Sequence, residues 1–560
     1  MGVVMEAISA KELAEIESLI GTPQQDMAMG GAHDAAARFD KQIAGWHPTR
    51  QSADADILPE KDLIDARSRD MGRNDAYVQN GATTRKDNIV GGFYMLNARP
   101  SHKLLGKDEA WAEAFQYEVE EAFTIWAESP MKWVDASRRN DFTSLIRLAV
   151  GVDTFGGEVL ATAEWVRQRG REYRTAIQMV DTDRLSTPPT MAYDQNIRGG
   201  VKVDGYGAPQ SAFIRLRHPN DVTPWYGTQE LWKEVPFYKP WGRQQVIFLN
   251  EQNRVDQTRA VADITAGLRE IAITKKFRDV TLQRAVLAAT YAATIESELP
   301  PQAVYEQLGM SGATAGTAVT NYAMEFLTAL GAYNGNAKNL LIDGVKIPHL
   351  FPGTRLNMQN AAEQAGVGQE FEQSLLRYIA AALNISYEEL SKDFSKTNYS
   401  SARAAMAATH KYSQARKKII ADALASSIYR LWLEEAVSND KLKTFPASEL
   451  STLYTDRHLN TKFDALASCT WIGAARGQID ELKETQAAVL RIKYGLSTHE
   501  DELSRLGKDW RRVYAQLERE SKERDTRNIT LLEDNSVNAA SGAPREGKQD
   551  GTDGQNANEK

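Results

Sequence analysis

Apolar positions recur at helical spacing over most of this chain. In "DEAWAEAFQYEVEEAFTIWAES", Trp111, Phe115, Val119, Phe123 and Trp126 fall three or four residues apart, which predicts a helix with one buried stripe. "EKDLIDARSRDMGRNDAYVQNGATTRKDNIVGG" predicts two helices joined near Arg73-Asn74 and ended by Gly91-Gly92. From Arg259 to Ser297 no proline interrupts the pattern. Val261, Ile264, Leu268 and Ile271 form one stripe there, and Phe277, Val280, Leu287, Tyr291 and Ile295 form a displaced one. A helix of about 35 residues spans about 50 Å, which points to an elongated architecture.

The C-terminal part reads the same way. "EFEQSLLRYIAAALNISYEEL" puts Phe371, Leu375, Tyr378, Ile379 and Ala382 on one face. Asn384 suits the left-handed position that ends a helix, and Ser386 with Glu389 suits a capping box for a short helix after it. From Ser401 to about Val437 another Gly- and Pro-free run carries Ala405, Tyr412, Ile419, Ala423, Ile428 and Leu431. Ser400 and Ser401 then stand where an N-cap is needed.

Strand signals are confined to the middle. "GEVLATAEWV", "EYRTAIQMVD", "GGVKVDGYGAP", "SAFIRLRHP" and "QQVIFLN" carry β-branched and aromatic residues between turn formers. In "NLLIDGVKIPHLFPGT", Asp343-Gly344 between two apolar runs predicts a hairpin. The fold class is therefore α+β, mainly helical, with a β-rich middle. The polar first forty residues read as mobile, and residues 522–560 as a disordered tail, whose last stretch "NSVNAASGAPREGKQDGTDGQNANEK" is almost free of large apolar side chains.

Composition narrows the function. The 560 residues are 42% hydrophobic and 25% charged, which is globular. Cys469 is the only cysteine, so neither a disulfide framework nor a multi-cysteine zinc site can form. The N-terminus lacks a basic region followed by a long apolar run, and no stretch of about 18 apolar residues occurs, so neither a signal peptide nor a membrane helix is expected. A net charge of -8 disfavours a tight grip on DNA phosphates. No pair of the eight histidines has metal-ligand spacing, and phosphate-loop and nucleophile-elbow patterns are absent. His218 in "RLRHPND" reads as a turn residue, and the carboxylates of "WLEEAV" and "YEEL" as solvated helix faces. No catalytic residue, metal site or cofactor is expected. The adjacent serines of "KTNYSSARAAM" are read as a cap, because no base can be placed beside them.

Several stretches then carry a resemblance. "GWHPTRQSADADI", "LIDARSRDMGRNDAYVQNGATTRKDNIVGGFY", "LFPGT", "LLRYIAAALNISYEELSKDFSKTNYSSARAA" and "WIGAARGQIDELKETQAAVLRIKYGLSTHEDELSRLGKDWRRVYAQLERE" follow one another in the order seen in the lambda-like portal proteins of tailed bacteriophages. The chain resembles that family from about residue 40 to 521, more weakly between 160 and 245. It departs at Leu249-Asn250, where the family usually has a histidine, and at Asn384, where glycine is common.

The resemblance implies a ring, usually of twelve subunits, at one vertex of the phage head. Double-stranded DNA passes through its channel without sequence recognition during packaging and ejection. The terminase large subunit, the major capsid protein and a head-completion or adaptor protein are the implied partners, with no membrane. The implied location is the virion, with assembly in the host cytoplasm. The implied parts are an N-terminal helical wing region (41–156), a β-rich wing and clip region (157–258), a stem helix (259–298), a wing hairpin with a channel loop (299–370) and a helical region including the crown (371–521). Gln359, Asn360, Glu363 and Gln364 are the expected DNA-facing residues of that loop, and Ile264, Leu268 and Arg403 are expected at subunit interfaces. Arg403 opposes the dipole of its own helix, so a carboxylate partner is expected, Asp393 or one from a neighbour. The competing classes are a capsid or scaffold protein without a channel and a large helical enzyme with a carboxylate site.

Overall fold

The computed structural model describes residues 41–42, 45–219, 221, 232–290, 328, 340–342, 345–347, 367–395, 397–453, 461–475 and 480–527. The main helices are α1 (Lys61–Asn74), α2 (Ala76–Ile89), α3 (Glu109–Ala127), α4 (Phe142–Gly156), α5 (Leu268–Thr290), α6 (Val367–Ala382), α7 (Tyr387–Ser391), α8 (Tyr399–Arg416), α9 (Ala423–Ser438), α10 (Glu481–Lys493), α11 (His499–Arg505) and α12 (Trp510–Arg527). The strands are β1 (Met95–Ala98), β2 (Glu158–Trp165), β3 (Thr175–Val180), β4 (Ile197–Arg198), β5 (Val201–Val203), β6 (Pro209–Arg215), β7 (Trp232–Pro236), β8 (Val246–Asn250), β9 (Leu340–Ile342), β10 (Val345–Ile347) and β11 (Cys469–Ile472). The fold is α+β and mainly helical, as the periodicity predicts.

The chain divides into two compact units. The first takes residues 1–62, 183–235 and 251–260, and the second takes 63–182, 236–250 and 261–560. The first unit holds a four-stranded sheet in the order β4-β5-β6-β7. Residues 253–260 are locked into it by hydrogen bonds to main chain and side chains. Asp54 accepts from the Thr258 amide and hydroxyl, both at 2.8 Å. Buried Arg259 donates to the carbonyls of Leu185 at 2.9 Å and Gly199 at 2.6 Å. His218 Nε2 lies 3.2 Å from an Asp183 carboxylate oxygen.

This locking corrects the predicted start of the long helix. Residues 259–262 are not helical; Asp263–Gly267 form a 3-10 turn, and α5 begins only at Leu268. The bonds of Thr258 and Arg259 hold the chain in the observed non-helical path just before the turn. The predicted far end, beyond Thr290, lies outside the described residues.

In the second unit β2 is the middle strand of an antiparallel sheet, β3-β2-β8. Helix α4 packs on β2, and α9 on β3 and β8. Glu435 of α9 accepts from the Arg174 and Thr175 amides at 2.7 and 2.8 Å, fixing the start of β3. The predicted stripe of α3 is buried: Phe115, Val119, Phe123 and Trp126 all sit in the main core, with Trp111 at its edge. The Phe123 ring lies 5.2–5.9 Å from the rings of Trp126, Phe142, Tyr429, Trp432 and Trp471. β1 pairs with β11 across more than 370 residues of chain, a pairing the sequence did not suggest.

A second core joins Val78, Ile264, Ile271, Leu376, Ile379, Leu383 and Leu390. Here the predicted face of α6 is rotated. Leu376, Ile379, Ala380 and Leu383 are buried, whereas Phe371 and Tyr378 are half exposed. An aromatic body tolerates partial exposure, and the aliphatic residues fill the tighter helix contact. Asn384 takes the expected left-handed conformation, and Ser386 with Glu389 forms the expected capping box. The β9–β10 hairpin pairs as predicted.

The cap of α8 differs from expectation. Asn398 is the N-cap, and its side chain accepts from the Ser401 amide at 2.8 Å; Ser400 and Ser401 lie inside the helix. Asparagine caps as well as serine, and its longer side chain reaches the amide from one turn earlier. Asn398→Ala should cost about 1 kcal/mol in denaturant unfolding, and Ser400→Ala less than about 0.5. Equal losses would contradict this cap.

Helix α12 is seated on α3 through a few polar contacts. Arg511 donates to Gln116 Oε1 at 2.5 Å and lies 3.8 Å from Glu120 Oε2. Glu120 also accepts from the Ala98 amide at 2.8 Å. Burial pushes the Glu120 carboxyl up to about 7, with Asp509 adding to the shift and the Ala98 amide, Arg511 and Gln116 opposing it. Between its ordinary value of 4.5 and about 7, the folded chain holds a proton that the unfolded chain releases. Stability should therefore fall as pH rises through that window. Glu120→Gln should flatten this slope when denaturation midpoints are compared from pH 4.5 to 8. Identical slopes in the two proteins would refute it.

Candidate functional site

A cluster of charged side chains lies at the root of the long helix. Helix α4 ends at Gly157, whose φ of +72° needs glycine. A Cβ there would meet the Val261 carbonyl carbon at 2.3 Å, so the chain entering α5 is pressed directly against this cap. Asp153, in the last turn of α4, and Asp263, in the 3-10 turn before α5, are thereby brought near each other.

Two arginines meet these two carboxylates. Arg85 of α2 lies 3.4 Å from Asp153 and 3.6 Å from Asp263. Arg416 of α8 lies 2.6 Å from Asp263. The Tyr412 hydroxyl donates to Asp263 at 2.6 Å and accepts from Arg85 at 3.2 Å and from Arg416 at 3.1 Å. Arg85 and Asp153 are each only 2% exposed. Burial pushes the Tyr412 phenol up to about 12, against the pull of Arg85. Burial acts to lower Arg416, but Asp153, Tyr412 and Asp263 outweigh it and hold the guanidinium above its ordinary value. Two positive and two negative groups balance, so four chain segments are joined without net charge.

Helix α8 then passes through a π turn, Lys417–Asp422, before α9. One extra residue rotates the following face by roughly 100°. Lys417 is buried and donates to Asp422 at 2.7 Å and to the Trp471 carbonyl of β11 at 2.9 Å. Tyr94 donates a short hydrogen bond to the same Asp422 oxygen. Burial, then Asp422, raise the Tyr94 phenol well above its ordinary value. The chemistry of this site is electrostatic fixing: it holds the start of α5 against α2, α4 and α8.

The residues singled out from sequence fare differently. Ile264 is fully buried in the second core of its own unit. Leu268 is partly buried against the same core. Arg403 is exposed, makes no ion pair with Asp393, and feels Asp480 only through its field. Gln359, Asn360, Glu363 and Gln364 lie outside the described residues. Sequence reasoning missed Arg85, Asp153, Asp263 and Arg416. Only the i, i+4 spacing of Tyr412 and Arg416 was there to notice.

Against known families, residues 39–417 match the model for phage portal proteins of the lambda family. The portal protein of Escherichia phage N15 is 35% identical over 515 residues, covering 91% of this chain and 94% of that one. The chain belongs to the lambda family of phage portal proteins. Portal protein B of Escherichia phage lambda is also 35% identical, over 88% of this chain and 90% of its own. A probable portal protein of Halomonas phage phiHAP-1 is 21% identical over 86% and 84%. Among solved structures, the neck of a native GTA particle with C12 symmetry aligns with 81% of this chain and 99% of its own, at 11% identity and a TM-score of 0.36. The family match reaches Lys417, so it includes all members of the ionic cluster. No described helix of this portal-family chain is long and apolar enough to cross a membrane.

Proposed function

We propose that this chain assembles into a ring, of twelve copies, that forms the DNA channel at one vertex of a phage head. Double-stranded DNA is packaged and ejected through it. The terminase large subunit, the major capsid protein and a head-completion protein dock on it, and the chain itself catalyses no reaction. Family membership over most of the chain is the observation that carries this reading. In it α5 is the stem helix, and the ionic cluster fixes the stem's root inside each subunit. A net charge of -8 suits a channel through which DNA slides, because many phosphate contacts would hold it.

The loop holding Gln359, Asn360, Glu363 and Gln364 surrounds the DNA in this reading. Arg403, exposed and without an ion pair among the described residues, pairs with a carboxylate of a neighbouring subunit. Mass measurement of the purified protein tests the ring. Ten or more subunits are expected, and a monomer or dimer would overturn it. Cross-linking from the four loop positions to packaged DNA tests the channel loop.

A further inference from the structure

The C-terminal helices carry an apolar surface that their own unit leaves uncovered. Helix α10 buries no residue. Its Leu482, Val489 and Leu490 lie within an arc of roughly 100°, and all three are exposed. Tyr494 and Leu496, just after the helix, are 72% and 77% exposed. Together they form an exposed apolar patch along one side of α10 and its C-terminal end, the ridge.

The same unit also carries a groove of about 660 Å³ between α12, α3 and the chain entering β1. Phe93, Leu96, Phe123, Val513 and Leu517 supply its apolar lining. Phe93, at 72% exposed, has no cover over most of its ring. Lys508 stands at the groove and Glu481 at the start of the ridge; neither forms an ion pair among the described residues.

From these two surfaces we infer that the α10 ridge of one copy occupies the α12–α3 groove of the next, making a joint of the ring. The inference rests on the ring reading above and names its contact surfaces. A ridge and a groove on one unit can pair reciprocally about a two-fold axis or head to tail, and the ring reading selects the second. A head-to-tail contact repeated with a closing rotation makes a ring. The two unpaired charges are opposite in sign, Glu481 on the ridge and Lys508 at the groove, as a contact between these two surfaces of neighbouring copies requires.

Two variants of the full chain test this. Leu490→Asp with Leu496→Asp changes only exposed side chains, so the circular-dichroism spectrum should be kept while the mass falls from ring to monomer. Phe93→Cys with Leu490→Cys, in a Cys469→Ser background, should give a ladder of covalent oligomers on mild oxidation. Rings that persist in the first variant, or oxidised monomer alone in the second, would overturn the joint and leave the ring reading standing. A wild-type protein that is itself monomeric would overturn both.

Discussion

Replacing Arg85 by Met should cost about 3–5 kcal/mol of stability, because it leaves Asp153 buried with only part of the positive charge that faces it. Asp263 keeps Arg416 at 2.6 Å and Tyr412 at 2.6 Å, so the damage centres on Asp153. Removing both charges, as Arg85→Met with Asp153→Leu, should recover part of the loss, since an apolar pair avoids burying an under-compensated carboxylate. Denaturant unfolding at one fixed protein concentration measures both, because association shifts apparent stability. A loss below about 1 kcal/mol in the single variant would mean that the cluster does not hold the root of α5.

Phe123→Ala should cost a similar amount, about 3–5 kcal/mol. Phe123 is 1% exposed, and five aromatic rings surround it from α3, α4, α9 and β11. Rings of that size cannot collapse into the space a phenyl group leaves, so the cavity persists. Tyr117, on the same helix but 66% exposed, provides the control: Tyr117→Ala should stay within about 0.5 kcal/mol. Comparable losses at the two positions would show that the stripe of α3 is not the core.

The sequence by itself determined what is local. The buried stripe of α3, the junction near Arg73-Asn74, the Ser386 capping box and the left-handed Asn384 follow from spacing and from side-chain reach over a few residues. The middle strands β2, β3, β5, β6 and β8 were legible for the same reason. Ordered motifs over most of the chain also gave the family. Tertiary structure decided which face a helix turns inward, as α6 shows, and where the long helix begins, because Arg259 is held by carbonyls 60 and 74 residues away. It alone brought Arg85, Asp153, Asp263 and Arg416 together. A charged residue in a helical pattern reads as solvated, and only partners distant in sequence make its burial tolerable.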